Sequence, residues 1–374
     1  MKKSIFILFV LVSNLFAQQG NDKVVYLTSN RVDVSTYYQD LKIGDATLSQ
    51  VAFPISVTIP IDIRTTFSIY NGSALSKYED TEINGLGDTR IGFRYLLPGD
   101  KLILRATASI PTGKTELNGM QFLLSQILTQ NPLSYPVSYY GQGFNTSLSL
   151  VYATPIAKNL VIGGGASYNY RGKFTPLKSE HVEEFDPGDE ITADIGLDVK
   201  ASNTFRFNVG LLYTLFSKDK MDGVDIFKLG NKVSLFVRLN LRTNTIRNSA
   251  FIVFRVRGDN KLFTDSEEKI LTNGSQIDVN YVGSIPITPT LSMNVKLDGK
   301  FYGTSAQMLG GRDLLRNGKA NVFGLGAGAR LFLSDLISTD VNLGYKTGSI
   351  ILPNEDISSS ISGFLANLAF TFRF

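Results

Sequence analysis

The feature that most limits what this chain can become is a two-residue alternation of apolar and polar side chains, sustained over runs of about ten to thirteen residues. In Val233 to Arg242 one set is Val233, Leu235, Val237, Leu239 and Leu241, and the other is Ser234, Phe236, Arg238, Asn240 and Arg242. Successive side chains of a strand point to opposite faces, so such a run makes a strand with one oily face and one wet face. The division recurs in Thr204 to Phe216, where Phe205, Phe207, Val209, Leu211, Tyr213 and Leu215 oppose Arg206, Asn208, Gly210 and Thr214. It recurs again in Leu291 to Tyr302, where Leu291, Met293, Val295, Leu297 and Phe301 oppose Asn294, Lys296, Asp298 and Lys300. Soluble strands average ~5 to 6 residues, whereas ~9 to 11 residues tilted by ~45° cross the hydrocarbon of a bilayer. The length therefore selects an all-β, transmembrane, antiparallel up-and-down barrel, with apolar residues toward lipid and polar residues toward the lumen.

The connections between these runs alternate in length. Short turns fall at Pro60-Ile61, Pro98-Gly99-Asp100, Pro155 to Asn159, Ala201-Ser202-Asn203, Thr243 to Ser249, Pro286 to Thr290 and Ser334 to Ile337. Long polar connections fall at Asn71 to Gly85, Thr112 to Gly143, Arg171 to Asp189, Ser217 to Gly230, Gly258 to Ser275, Gly303 to Asn321 and Ser349 to Ser358. Short periplasmic turns and long extracellular loops are the pattern of outer-membrane barrels. Strands are expected to begin near Arg31, Gln50, Asp62, Leu86, Lys101, Phe144, Leu160, Glu190, Thr204, Lys232, Ala250, Gln276, Leu291, Val322, Thr339 and Ile361. That makes about sixteen, an even count that returns both termini to the periplasm. Fourteen strands with an N-terminal plug segment is the alternative.

The amino terminus supplies the address. Lys2 and Lys3 precede the apolar run Ile5 to Val12, and Asn14-Leu15-Phe16-Ala17 precedes Gln18-Gln19. This reads as a cleavable secretory signal over residues 1–17, leaving 18–374 as a single barrel domain. No later run approaches the ~18 to 20 apolar residues that a transmembrane helix requires. The formal charge of +4 falls to +2 once Lys2 and Lys3 are removed, too little for a charge-driven nucleic-acid binder. With 43% apolar and 19% charged residues the chain folds rather than staying disordered. It has no Cys and one His, His181, which excludes disulfides, thiolate metal sites, cysteine catalysis and any multi-histidine metal centre. No cofactor is expected.

At the carboxyl end Phe364, Ala366, Leu368, Phe370, Phe372 and Phe374 alternate with inward Asn367, Thr371 and Arg373. An alternating final strand that closes on Phe resembles the signal read by the bacterial barrel-assembly machinery. Phe370, Phe372 and Phe374 are assigned that role, with the assembly machinery and outer-membrane lipid and lipopolysaccharide as expected partners.

Gly85-Leu86-Gly87-Asp88-Thr89-Arg90-Ile91-Gly92 is followed about twenty residues on by Ile110-Pro111-Thr112-Gly113-Lys114. This pair resembles the glycine-rich strand and Pro-Thr-Gly turn of the "MetA-pathway of phenol degradation" outer-membrane proteins, which in turn resemble the long-chain fatty-acid and aromatic-hydrocarbon transporters. The resemblance covers Val51 to Tyr170. It implies a channel without catalytic residues, passing hydrophobic or aromatic compounds. The Asn-Pro-Ala hatch signature of the fatty-acid transporters has no counterpart in Gln18 to Asn30.

The predicted inward face collects Arg64, Arg90, Arg94, Arg105, Arg206, Arg238, Arg242, Arg255, Arg257, Lys296, Lys300, Arg330 and Lys346. Against them stand Asp62, Asp194, Asp198, Asp278, Asp298 and Asp340. An excess of cations along a narrow pore favours anions; charges paired across neighbouring strands would satisfy one another instead. The connection Thr112 to Gly143 is apolar for a loop, with Leu117, Met120, Phe122, Leu123, Leu124, Ile127 and Leu128 near helical spacing before Pro132 and Tyr135. A short amphipathic helix is predicted there. It would constrict the lumen, capture a hydrophobic ligand, or pack on the barrel rim. His181 and the acidic runs Glu183 to Glu190 and Asp259 to Glu268 read as solvated loop charge, since no oxyanion hole or calcium-loop spacing accompanies them. The expected function is passive diffusion of small molecules across the outer membrane. A transporter of hydrophobic or aromatic compounds and a mildly anion-selective porin are the two leading forms, ahead of a surface hydrolase or structural barrel.

Overall fold

A computed structural model describes residues 29–138, 140–178, 184–243, 245–264, 268–308, 314–352 and 355–374. The expected signal segment, 1–17, and His181 lie outside the described residues. Among the described residues sixteen antiparallel strands form one wall: β1 (Arg31–Ile43), β2 (Ala46–Pro60), β3 (Thr65–Tyr78), β4 in two pieces (Thr81–Leu86 and Thr89–Leu96) and β5 (Leu102–Ile110). A helix, α1 (Gly119–Leu128), separates these from β6 (Asn145–Ala157), β7 (Leu160–Arg171), β8 (Glu190–Lys200), β9 (Phe205–Phe216), β10 (Lys232–Arg242) and β11 (Arg247–Arg257). The wall continues through β12 (Gln276–Pro286), β13 (Leu291–Tyr302), β14 (Ala320–Phe332), β15 (Ile337–Ile350) and β16 (Ser359–Arg373).

Closure is direct. β1 pairs with β16 from Arg31 opposite Arg373 to Ile43 opposite Ile361. One step beyond, Asn30 and Phe374 exchange backbone hydrogen bonds of 2.9 and 3.1 Å. A closed wall leaves no edge of unpaired N–H and C=O groups, which is what hydrocarbon demands. The alternation then sorts the side chains. Phe53 and Ile55 on β2, Leu148 and Leu150 on β6, Leu343 on β15 and Phe364 on β16 all stand exposed on the outside. In water such a belt would drive aggregation; in lipid it is the stabilising surface, so the strands span a membrane. The first run is a wall strand, so the count is sixteen.

Two expectations are corrected by the loop end. Asn71 to Gly85 is not a long loop: β3 and the first piece of β4 pair through Tyr78 and Thr81 around a tight turn at Glu79-Asp80, with Glu79 at φ 51°. Its outward set mixes polar Ser73, Lys77, Glu82 and Asn84 with Leu75 and Leu86, because the hairpin rises to the edge of the apolar belt, and this hid its alternation. The later long connections are not featureless either. Phe185–Asp186, Lys218–Met221, Val224–Lys228, Asn260–Phe263 and Glu268–Leu271 build a five-stranded rim sheet. Its Phe227, packed with Leu229 against Phe216 of β9, is fully buried.

The largest apolar core lies inside the barrel. Leu117, Leu124, Ile127, Leu128, Leu133 and Tyr135 of the connection after β5 pack with Leu41, Leu48 and Ala74 on one flank and with Tyr302, Val322 and Ile350 on the other. The segment carrying α1 thus fills the side of the lumen walled by β1 to β4 and β13 to β16.

Candidate functional site

The helix starts where the chain offers a cap. Asn118 accepts from Gln121 N at 2.8 Å and Gln121 reaches back to Asn118 N at 3.3 Å, a reciprocal pair that satisfies two donors of the first turn. Past the helix the chain is pinned to the wall through its backbone. Gln39 of β1 donates to the Leu133 carbonyl at 2.7 Å. Gln50 of β2 donates to the Val137 carbonyl at 2.6 Å and accepts from Val137 N at 3.0 Å. Lys346 of β15 donates to the Leu133 carbonyl at 2.8 Å, and Lys300 of β13 to the Asn131 carbonyl at 2.8 Å and to Ser134. The segment returns bonds of its own: the Tyr135 hydroxyl donates to the Leu48 carbonyl at 2.6 Å and the Tyr140 hydroxyl to the Ile83 carbonyl at 2.9 Å. Burial raises the pKa of both phenols, that of Tyr140 to about 12, so each stays protonated and able to donate.

The neck of this loop is clasped by the two motifs noted in the sequence. Asp88, at the break in β4, accepts from Gly113 N at 3.1 Å and from Gln142 N at 2.7 Å, tying the outgoing and returning chain together. Thr112 donates to the Gly87 carbonyl at 3.0 Å and accepts from Thr89 N at 2.9 Å. A β-carbon on Gly113 would lie 1.8 Å from the Tyr140 carbonyl oxygen, which is why the turn must end in glycine. The Gly-Asp-Thr and Pro-Thr-Gly motifs therefore act as one latch at the base of the loop.

Of the loop residues predicted to constrict or capture, Leu117, Leu124, Ile127, Leu128 and Tyr135 are buried in the core and Phe122 packs against it. Leu123, with Met120, stays exposed. The segment packs most of its apolar side chains against the inner wall of the barrel.

The inward charges divide into three groups. Several are neutralised in place: Arg206 on Asp198, Arg255 on Asp278 and Arg330 on Asp340 at 2.8 Å; Arg64, expected on the lumen wall, lies instead in the turn between β2 and β3, 3.4 Å from Asp100. The Tyr302 hydroxyl adds a 2.7 Å bond to Asp278. Lys300 and Lys346 hold the loop and are withdrawn from any path. The rest lie on the wall: Arg90 opposite Tyr70, Arg94 opposite Arg105, Arg238 5.2 Å from the Phe251 ring, and Arg257 5.0 Å from the Phe216 ring. Arg242 pairs in register with Arg247 at the turn end. Lys296 sits on β13 opposite Gly326, and Asp298 lies over Gly324, whose missing β-carbon gives it room. Asp194 stands on β8 opposite Leu212. Asp62 is not a wall residue: it caps the turn between β2 and β3, accepting from Arg64 N and Thr65 N at 2.6 and 2.7 Å.

Sequence reasoning missed a buried charge cluster beneath the rim sheet. Arg171 and Glu190, both nearly inaccessible, stand 3.8 Å apart, so Glu190 is not solvated as expected of its acidic run. Asp219 accepts from Gly188 N at 2.7 Å, and burial pushes its pKa up to about 6. Lys232 lies 5.7 Å from the Phe216 ring that Arg257 also faces. The inward parity of Arg171, Glu190 and Lys232 on β7, β8 and β10 was the available signal; the rim sheet that brings Asp219 to them was not. Among the described residues no group of three or more acidic or histidine side chains could hold a metal ion.

Phe370 and Phe372 stack outward on β16 with ring centroids 6.4 Å apart, and Phe374 is exposed beyond them.

No protein-family model matches the chain, and no curated protein matches it. The resemblance noted above rests on its motifs alone. Among solved structures the chain is similar to a bacterial polysaccharide outer membrane secretin, at 12% identity over 92% of this chain and 98% of that one, with a TM-score of 0.47. It is similar also to a TodX deltaS2S3 mutant monoaromatic hydrocarbon channel, at 13% identity over 92% and 90%, TM-score 0.46. OprB of Pseudomonas putida stands at 10% identity over 92% and 94%, TM-score 0.46. The barrel itself is established by its own strand registers.

Proposed function

We propose that this barrel sits in an outer membrane and lets small solutes diffuse passively through a lumen narrowed from one side by the α1 loop, without cofactor or chemical step. The observation that supports this reading is the division of the interior. One side is filled by the loop, pinned through backbone bonds to β1, β2, β13 and β15. The other, β4 to β11, carries charged and hydroxyl side chains on either side of a small apolar cluster of Leu212, Phe236, Phe251 and Val253. Diffusion needs only a path whose width and charge select the solute. A polar solute suits that path better than an apolar one, because most of the loop's apolar residues are occupied by packing and, among the described residues of α1 and its flanks, Met120 and Leu123 are the large apolar side chains left exposed. On this reading the turn end faces the periplasm, lipopolysaccharide surrounds the loop end, and the Phe370, Phe372 and Phe374 row is what the assembly machinery reads.

Planar-bilayer recording tests it. The refolded chain should give steady channels in potassium chloride, and replacing residues 119–138 by a short Gly-Ser linker should raise their conductance at least about twofold. Correctly folded barrels silent in both forms would refute the pore.

A further inference from the structure

We propose, resting on that pore reading, that the open side of the inner wall carries a track for small oxyanions, with its binding station at Arg94 and Arg105. Strand registers place eight inward residues in one unbroken row, one per strand from β4 to β11: Arg94, Arg105, Ser149, Ser167, Thr192, Thr214, Lys232 and Arg257. The row starts two residues from the turn end of β4 and finishes on the last residue of β11 at the loop end. At ~4.8 Å per strand it runs roughly 34 Å, climbing the wall from the turn end to the charge cluster beneath the rim sheet, where Thr214 and Lys232 are buried. It holds two cations, four hydroxyls and two more cations, with no carboxylate and no apolar side chain.

Arg94 and Arg105 are direct cross-strand neighbours, an arrangement that like charges make unfavourable. Among the described residues neither has a carboxylate within 4 Å, and the Nε atom of each has no hydrogen-bond partner. Arg105 is only 5% exposed, so water does little to stabilise its charge. Two adjacent guanidinium forks with unused donors match the oxygens of a carboxylate or a phosphate, and an anion between them removes their repulsion. Ser149 and Ser167 come next in the row, and Thr192 donates to Thr214 at 3.2 Å. Hydroxyls both donate and accept, so they serve an oxyanion together with the water it carries. At the loop end Lys232 and Arg257 flank the Phe216 ring.

Acidic groups beside the row keep the hold weak. Asp194 is within electrostatic reach of Arg105, and Glu190 and Asp219 are within reach of Arg257. Permeation needs a site that attracts an ion and still releases it, and these carboxylates supply the second half.

The test records single channels in potassium chloride while inorganic phosphate or acetate is added. In the wild type either anion should reduce chloride current in a saturable way; phosphate alone would mark a tetrahedral station and acetate alone a planar one. In Arg94→Gln/Arg105→Gln the half-blocking concentration should rise at least about tenfold and the reversal potential should move toward cations. Lys101→Gln, exposed in the turn between β4 and β5 and outside the row, should behave as wild type. Unsaturable current in the wild type, or equal block in the double variant, overturns the track while leaving the pore intact. No current in potassium chloride overturns the pore and the track together.

Discussion

Gln50→Leu is the substitution that most directly asks whether the α1 loop is fixed to the wall. Gln50 is 1% exposed and its amide satisfies both the N–H and the C=O of Val137, besides donating to Ser76 at 2.7 Å. Leucine fills the same space and bonds to neither. Two buried backbone groups are then left without partners, at about 1 to 3 kcal/mol each, or about 2 to 6 kcal/mol together. The Lys300, Lys346 and Gln39 bonds to residues 131–134 remain, so the expected result is local lifting around Val137 rather than expulsion of the loop. At a factor of ten per ~1.4 kcal/mol, the lifted population rises at least about thirtyfold. The chain has no cysteine, so Ser138→Cys installs a single thiol at a position 7% exposed. Its maleimide labelling rate, measured with and without Gln50→Leu in folded barrels, reports that lifting. A rate unchanged within about threefold would refute the claim that this amide holds the loop.

Asp88→Ala removes both bonds that clasp the loop's neck and should make residues 113–142 cleavable by an added protease, whereas Asp88→Asn, which can still accept, should protect them partly; equal protection in both would remove the latch. On the lipid face, Leu235→Arg should cost about 2 to 4 kcal/mol in urea unfolding from micelles, while Leu235→Phe, which stays apolar, should cost little; equal losses would mean that Leu235 does not face lipid. At the rim, the Asp219 pKa is raised above its ordinary 3.8 to about 6, so between those values the folded state holds the proton more tightly than the unfolded state. Stability of the rim sheet should therefore fall as pH rises from about 4 to 6 and stay low above that, read as protease sensitivity of residues 218–228. Asp219→Asn should abolish the slope; a rim that tightens with rising pH would contradict the assignment.

Much of the wall was legible in the chain because a barrel strand has only two faces and lipid fixes which is which. Val233 to Arg242 and Phe364 to Phe374 therefore announced their outward residues without any knowledge of neighbours, and strand starts at Arg31, Leu160, Glu190, Lys232, Gln276 and Leu291 coincide with those observed. The hairpin through Glu79-Asp80 failed that reading, since polar Ser73, Lys77, Glu82 and Asn84 interrupt its outer face, while Ala74 and Ile83 on its inner face are buried against the α1 loop. Helix α1 was marked by its own spacing, but the side it would bury was not. The amphipathic pattern of Leu117 to Leu128 is satisfied equally by a ligand, a rim or a wall, and only the positions of Leu41, Leu48, Tyr302 and Val322 across the lumen select the wall.

Charge pairing was decided by tertiary structure for the same reason. Arg206 and Asp198 lie on adjacent strands, but so do Arg94 and Arg105; whether an inward cation meets a carboxylate or another cation depends on strand register. A shift of one residue would exchange the two faces and a shift of two would change every inward partner. By itself the sequence determined a lipid-spanning barrel with a polar interior, because alternation and strand length are local properties set by backbone geometry and solvent. Register, closure and the descent of the loop into the lumen are properties of residues far apart in the chain, and they decide which interior charges meet a carboxylate and which meet another cation.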